Sequence, residues 1–302
     1  MGKALSIMEI ERFAIHDGPG IRTTVFLQGC PLRCRWCANP ESQTIGRKVM
    51  HYSARCVGCG RCAAVCPEKA IRIQNGKAEI NRERCVKCGI CSKVCPNRAI
   101  RMSGEIVEVS DIVDTICRDR DYYDNSGGGV TVSGGEPFVQ FTGFLELITQ
   151  CKLRGMHVAI ETCGQFEEDQ LSIAMPYIDL FLFDIKHPSD RPLFEATGAS
   201  LPIILRNLGT IAAADTAKII IRVPVIPGFN DDDETIDKIF DVAVRNGIKR
   251  VHLLPYHTLG EQKYASLDRE YTLCCVPMLK KSDLEQFAKR GTSRGLAVQI
   301  GG

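Results

Sequence analysis

The sequence predicts an α/β chain: a full or partial β/α barrel of roughly six parallel units, interrupted early by a small cysteine-rich insert. Three observations predict it. Short apolar, β-branched runs alternate with amphipathic stretches along most of the 302 residues. Eleven of the sixteen cysteines fall between positions 30 and 95. Within that region residues 56–73 (CVGCGRCAAVCPEKAIRI) and 85–102 (CVKCGICSKVCPNRAIRM) match at eleven of eighteen positions, at an offset of 29. The barrel is expected at 1–48 and 104–302, and the insert at 49–103. An open doubly wound sheet is the other arrangement that alternating runs allow.

The strand-like runs are 23–28 (TTVFLQ), 129–133 (GVTVS), 157–161 (HVAIE), 180–185 (LFLFDI), 218–226 (KIIIRVPVI), 250–256 (RVHLLPY) and 296–300 (LAVQI). Continuous apolar runs suit strands buried on both faces, as in parallel sheets. Helix-like stretches lie near 109–121, 140–154, 167–176, 231–246 and 281–294, with apolar residues at helical spacing. The acidic run Asp231-Asp232-Asp233-Glu234 precedes one of them, where helix capping explains it.

Hydrophobic residues make up 44% of the chain, enough for a sizeable core. The net charge is +2, from 38 basic and 36 acidic residues. No basic stripe or acidic tail stands out, so no nucleic acid and no membrane surface is expected as a partner. No apolar run reaches membrane-spanning length and the N-terminus carries no apolar signal region, so a cytoplasmic location is expected. The start, Met1-Gly2-Lys3-Ala4-Leu5-Ser6, fits a myristoylation pattern, but one short enough to arise by chance.

In a small secreted chain so many cysteines would suggest disulfides. Clustered in a long chain without a signal, they read as metal binding. Each half of the repeat is C-x2-C-x2-C-x3-C-P, the bacterial ferredoxin run for a [4Fe–4S] cluster. In two-cluster ferredoxins the fourth cysteine of each run serves the other cluster. That pattern assigns Cys56, Cys59, Cys62 and Cys95 to one cluster, and Cys85, Cys88, Cys91 and Cys66 to the second. The proline after each fourth cysteine turns the backbone away. Zinc ribbons pair two CxxC knuckles across a longer gap and need no third and fourth cysteine in immediate series.

Barrels place their chemistry at the C-terminal ends of strands, and the polar residues of this chain collect there. After the first strand comes GCPLRCRWC (29–37), with Cys30, Cys34 and Cys37. The second is followed by Ser133-Gly134-Gly135-Glu136-Pro137 and the third by Glu161-Thr162. The fourth ends in Asp184-Ile185-Lys186-His187, the fifth carries Arg222, and the sixth leads to His257. Three thiolates hold three irons of a [4Fe–4S] cube and leave the fourth iron open to a substrate, the logic of a catalytic zinc site.

C-x3-C-x2-C with an aromatic before its last cysteine resembles the signature of radical S-adenosylmethionine (SAM) enzymes. The resemblance implies that Cys30, Cys34 and Cys37 hold a cluster whose open iron is chelated by the methionine part of SAM, with Trp36, Cys37 and Ala38 beside it. Gly134-Gly135-Glu136 matches the GGE element that meets the SAM amino group. Glycines let backbone approach closely, and a carboxylate suits an ammonium.

The resemblance narrows further. His16-Asp17-Gly18-Pro19-Gly20-Ile21-Arg22 looks like the opening motif of glycyl radical enzyme activating enzymes. Asp184-Ile185-Lys186, Arg222-Val223-Pro224 and Leu253 to His257 (LLPYH) are similar to further elements of that group, in the same order. In such proteins Asp-x-Lys and the late histidine line the SAM site, which implies Asp184, Ile185, Lys186 and His257. Larger members carry a two-cluster ferredoxin insert right after the radical motif. The implied fold is a partial (β/α)6 radical SAM barrel with an inserted ferredoxin-like 2×[4Fe-4S] domain, three clusters in all. One departure is the third-strand end, Glu161-Thr162-Cys163, where the simplest activases have an aspartate beside a monovalent cation.

The activity that the resemblance implies is reductive cleavage of SAM to methionine and a 5′-deoxyadenosyl radical. That radical takes a hydrogen atom from a glycine of a partner glycyl radical enzyme. Asp17, Gly18 and Arg22 are expected to guide the partner's loop. A low-potential reductant such as flavodoxin or ferredoxin is the expected electron source, with the insert a relay or a docking surface. Another radical SAM protein maturase and a multi-cluster ferredoxin-type electron carrier are the competing readings. The second leaves the open triplet unexplained. Gly127-Gly128-Gly129 lacks the lysine and hydroxyl of a phosphate loop. His51, His157 and His252 read as structural, and Cys117, Cys151, Cys163, Cys274 and Cys275 as plain thiols.

Overall fold

The computed structural model describes residues 3–302; Met1 and Gly2, which open the myristoylation-like run, lie outside them. Thirteen strands are present among the described residues: β1 Ala4–Ala14, β2 Arg22–Leu27, β3 Lys48–His51, β4 Ile71–Gln74, β5 Lys77–Ile80, β6 Ile100–Ser103, β7 Glu105–Glu108, β8 Gly129–Gly134, β9 Val158–Thr162, β10 Leu180–Asp184, β11 Ile219–Val225, β12 Arg250–Pro255 and β13 Ala297–Ile300. The helices are α1 Arg61–Ala64, α2 Ile90–Lys93, α3 Val109–Cys117, α4 Arg120–Ser126, α5 Phe141–Leu153, α6 Glu168–Ala174, α7 Asp190–Thr197, α8 Leu201–Ala214, α9 Asp233–Arg245, α10 Glu261–Ser266 and α11 Glu285–Ser293. None is long and apolar enough to cross a membrane.

Nine strands form one sheet in the order β13-β12-β11-β10-β9-β8-β2-β1-β7. From β2 to β13 all pairings are parallel, and each new strand adds on the same side. The order never reverses, so the sheet is singly wound. A doubly wound sheet reverses at a switch point, which removes the alternative arrangement. Among the described residues β13 and β7 are unpaired edges, so the barrel is partial.

Parallel strands buried on both faces explain the continuous apolar runs. Val132, Ile160, Phe183, Ile221 and Leu253 face the helices, against Ile116, Phe144, Leu208 and Phe240 in the main core. Alternate residues point into the barrel, where Ala159, Leu180, Leu182 and Ile220 form a small apolar plug.

Two features were not foreseen. β1 and β7 extend the sheet antiparallel beyond β2. The alternation in β1 is broken by register shifts between Ile7 and Glu9 and between Arg12 and Ala14, which hides its strand period. Helices α7, α8 and α10 also went unread. α8 opens with Pro202 in its first turn and buries Leu201, Ile204, Leu208 and Ile211 at helical spacing.

The segment between β3 and β6 makes a compact lobe. β3 and β6 pair antiparallel as a stem, with Lys48 opposite Ser103, and β4 and β5 form a hairpin. The helices α1 and α2 are single turns, each entered through a left-handed glycine, Gly60 and Gly89. Val49, Ile71, Ala78 and Ile100 give this lobe a core of its own, with cysteines packed against it.

Candidate active site

The C-terminal ends of the parallel strands surround a cavity of about 240 Å³. Cys30, Cys34, Cys37, Trp36 and Ala38 line it from the loop after β2. Gly134 and Gly135 stand at the end of β8, Thr162 and Cys163 at the end of β9, and Asp184 and Lys186 at the end of β10. Arg222, Leu254 and His257 complete the wall. His257 is exposed at the rim, and Ile185 is buried away from the cavity.

Helices that the sequence reading missed hold the cysteine loop. The amide of Arg33 donates to the carbonyl of Thr197 at 2.7 Å and that of Arg35 to Ala196 at 3.2 Å, both in the last turn of α7. Gly260, just before α10, lies so close that a Cβ there would sit 2.4 Å from the Cys37 carbonyl oxygen. The Tyr264 hydroxyl on α10 donates to the carbonyl of Cys34 at 3.4 Å.

The two glycines after β8 brace the same loop from the other side. The amide of Gly135 donates to the Leu27 carbonyl at 2.8 Å, and that of Glu136 to the Gly29 carbonyl at 2.7 Å. A Cβ on Gly135 would fall 2.1 Å from the Gly29 oxygen. Close backbone contact with the cysteine loop is a reason for glycine here that spacing did not show.

Glu136 points the other way. It is fully buried and accepts from Thr162 Oγ1 and the Cys163 amide, each at 2.8 Å. Burial pushes its carboxyl up to about 7. Glu136 itself is not part of the cavity wall, and its carboxylate braces the end of β9.

The thiols differ in character. Burial pushes Cys34 up to about 12 and Cys37 up to about 11. The nearby Cys163 thiol pulls Cys30 down, and Cys30 in turn pushes Cys163 up. Cys163, read from sequence as a plain thiol, therefore belongs to the cavity. Its position one residue beyond a strand end was the available signal. Metal binding requires thiolates, so a cluster would have to displace these protons.

Lys186 pairs with Asp184. Burial opposes its charge, but Asp184 and the neighbouring Cys34 and Cys163 outweigh burial and hold the ammonium above its ordinary range. Deeper in the barrel Glu161 pairs with Arg222 and accepts from Ser133. Burial and the charges of Arg222 and Arg250 push His252, beside Arg222 on β12, down to about 4. Trp36 packs on Phe229, with ring centroids 4.8 Å apart.

The expected partner guide lies elsewhere. Arg22 opens β2, at the opposite end of the strands from the cavity. It is fully buried and donates to Thr131 Oγ1 at 2.6 Å and to the carbonyls of Pro19 and Val130. Asp17 accepts from Thr24 Oγ1 at 2.7 Å, and its carbonyl accepts from Thr131 Oγ1 at 2.7 Å. Asp17 and Arg22 thus lock the loop containing Gly18 against the N-terminal half of the barrel. Arg22, with no exposed surface, is unavailable to a partner's chain.

In the lobe the eight repeat cysteines separate into two sets. Cys66, Cys85, Cys88 and Cys91 line one cavity, and Cys56, Cys59, Cys62 and Cys95 line another. These are the two sets that the exchange of fourth cysteines assigns. Backbone amides already point at three sulfurs: Ala70 at Cys66 (3.3 Å), Ala99 at Cys95 (3.2 Å) and Ala78 at Cys56 (3.4 Å). Among the described residues no three Cys, His, Asp or Glu side chains are grouped to hold a single metal ion.

Residues 16–186 match a family profile described as a 4Fe-4S single cluster domain. The chain is 43% identical over 312 residues to the benzylsuccinate synthase activating enzyme of Thauera aromatica, covering 98% of this chain and 92% of that protein. It is 40% identical over 299 residues to the trans-4-hydroxy-L-proline dehydratase activating enzyme of Clostridioides difficile, covering 98% and 99%. Among solved structures, Streptococcus suis SuiB bound to S-adenosylmethionine superposes with a TM-score of 0.51 at 17% identity, over 67% of this chain and 45% of that one. That last likeness concerns the fold of the barrel.

Proposed function

The chain belongs to the glycyl radical enzyme activating enzymes of the radical SAM superfamily, and from that membership we propose how its residues divide the work. It is an oxidoreductase whose protein substrate is a glycyl radical enzyme. The observation that carries the residue assignment is the strand-end cavity, where three thiols of one loop stand beside Gly134, Gly135, Asp184 and Lys186. The donor set fits a [4Fe–4S] cluster with one open iron: Cys30, Cys34 and Cys37 would hold it, and SAM would bind against it.

Bound there, cluster and SAM would supply reductive cleavage to methionine and a 5′-deoxyadenosyl radical, the species that would take a hydrogen atom from a glycine of the partner. The chain's own residues prepare the place. Lys186, kept charged by Asp184, presents a cation to the carboxylate end of the ligand. Trp36, Ile226, Leu254 and Pro255 supply apolar wall that keeps water out. Arg222, Glu161 and Ser133 fix the floor. The partner's loop reaches the cavity over the rim at His257.

Residues 49–103 would form a ferredoxin-like domain with two further [4Fe–4S] clusters, and 1–48 with 104–302 the barrel. Four cysteines at each of two cavities and amides aimed at their sulfurs support this reading.

The test is product analysis on anaerobically reconstituted protein reduced with dithionite and given SAM. Wild type is expected to yield methionine and 5′-deoxyadenosine in equal amounts, and Cys34→Ala none. Full cleavage by Cys34→Ala would falsify the assignment of the triplet.

A further inference from the structure

Where the cysteine-rich lobe meets the barrel, five cationic side chains gather on one cleft of about 420 Å³. Arg33, Lys48, Arg82, Lys87 and Arg269 line it, together with Cys85. Arg33 sits beside Cys34 in the radical-cluster loop. Lys48 opens the stem strand β3. Arg82 and Lys87 flank Cys85 in the lobe, and Arg269 follows α10.

Folding leaves most of these charges without a carboxylate. Arg33 donates to the carbonyls of Cys30 and Leu32, both at 2.7 Å. Lys48 donates to those of Thr44 and Gly46, at 2.9 and 2.6 Å. Arg269 donates to the Pro40 carbonyl at 3.3 Å and the Gln43 amide oxygen at 2.9 Å. Arg82 alone has an acidic partner in the structure, Asp268 at 2.7 Å. Lys87 is exposed. Carbonyl oxygens fix where a cation points but do not cancel its charge. The cleft thus sets five positive groups against one carboxylate, in a chain whose whole net charge is +2. Lys48 is held below its ordinary range mainly by burial, with the charge of Lys87 adding to it. Like charges kept together raise the local potential and favour an anionic visitor.

We propose that this cleft docks the acidic face of a low-potential one-electron carrier protein, and that electrons pass there to the cluster site that Cys85 helps to form. The proposal rests on the cluster assignments given under the proposed function. A protein carrier fits better than a small anion because the positive field spans both parts of the molecule and borders two cluster sites. Cys85 lies in its wall, and Arg33 adjoins Cys34. In the transfer the carrier loses one electron and the cluster gains it. No bond is made or broken.

The experiment uses the iron-loaded full chain with flavodoxin as the probe, and reads calorimetric affinity at about 50 and about 300 mM salt. Affinity is expected to weaken by roughly tenfold across that range. Lys87→Glu is expected to weaken binding by roughly tenfold at low salt, and to slow stopped-flow bleaching of the iron–sulfur absorbance by reduced flavodoxin to match. Lys93→Glu makes the same charge change at a different cavity, between α1 and α2. It should leave both readings unchanged. Salt-independent binding, an unchanged affinity in Lys87→Glu, or equal losses in the two variants would overturn the proposal. Dithionite needs no docking site, so dithionite-driven SAM cleavage separates the two readings. If wild type lacks it, the triplet assignment has failed. If it persists while flavodoxin ignores the cleft, docking alone has failed.

Discussion

Glu161 on β9 and Arg222 on β11 form an ion pair that crosses β10 beneath the cavity. The carboxylate at this strand end thus has a fixed counter-ion built into the barrel, and Ser133 engages its second oxygen. With Ser133 on β8, the pair links β8 and its neighbour β9 to β11 across β10 at one level.

Removing one member should cost more than the pair contributes, because the other charge stays enclosed. The two side chains are 22% and 15% exposed, so part of the penalty is relieved by water. Arg222→Gln is expected to destabilise the protein by roughly 2–3 kcal/mol. Glu161→Gln/Arg222→Gln together should recover part of that loss. Denaturant unfolding of all three variants checks it, and a double variant no better than the single one would count against the pair.

Cys163 lines the same cavity as Cys30 but should not be a cluster ligand. Its amide is held by Glu136, which anchors the residue to the end of β9. Cys163→Ala is expected to keep SAM cleavage within about tenfold of wild type, a loss no larger than removal of a group neighbouring a ligand brings. Iron lost in proportion to a whole cluster would mean that the triplet is a closed four-cysteine site.

Gly135→Ala tests the brace behind the cysteine loop. Its Cβ would collide with the Gly29 carbonyl, so either β8 or the loop must move. SAM affinity by calorimetry should fall by at least tenfold, a displacement of about an ångström being enough, while circular dichroism stays near that of wild type. Unchanged SAM affinity would show that the loop has slack the structure does not reveal.

His252 gives the protein an acid limb. Its imidazole is held down to about 4, against an ordinary 6.5, by burial and the nearby guanidinium groups. Between those values the unfolded chain takes up a proton that the folded chain refuses. The stability this neutral group contributes is therefore present above 6.5, and is lost as pH falls toward 4. Half-buried as it is, the loss should be roughly 1–3 kcal/mol. Unfolding midpoints across that window should fall less steeply in His252→Gln than in wild type.

Reconstituted protein should hold about twelve iron atoms if three clusters form, and about eight after Cys88→Ala in the lobe. Dithionite-driven SAM cleavage should survive that change. A count of about four in wild type would leave the lobe without clusters.

Much of the fold was legible because its parallel strands are apolar throughout and its helices amphipathic, and the candidate site was legible in so far as residues after the strand ends line one cavity. Lys186 and Asp184 were found this way, and the structure sets them side by side. What stayed hidden was direction. Glu136 and Ile185 stand in motifs that border the cavity, yet their side chains turn into the core. Arg22 belongs to the opening motif, but its role is to lock a loop, which no spacing reveals. β1 was obscured by two register shifts, and α7 and α10 by their brevity. Those two short helices hold the cysteine loop by its backbone, α7 through the Thr197 and Ala196 carbonyls and α10 through the Tyr264 hydroxyl, and sequence patterns carry no information about backbone partners.

The stem formed by β3 and β6 brings the two ends of the lobe side by side, Lys48 opposite Ser103. A segment attached in this manner is a cassette. It can be lengthened, exchanged or excised and replaced by a tight turn while the strands on either side keep their register, since closing a longer surface loop costs little. The barrel can thus trade its cysteine-rich lobe as one piece, and chimaeras between barrels with different lobes should be joined at these two residues.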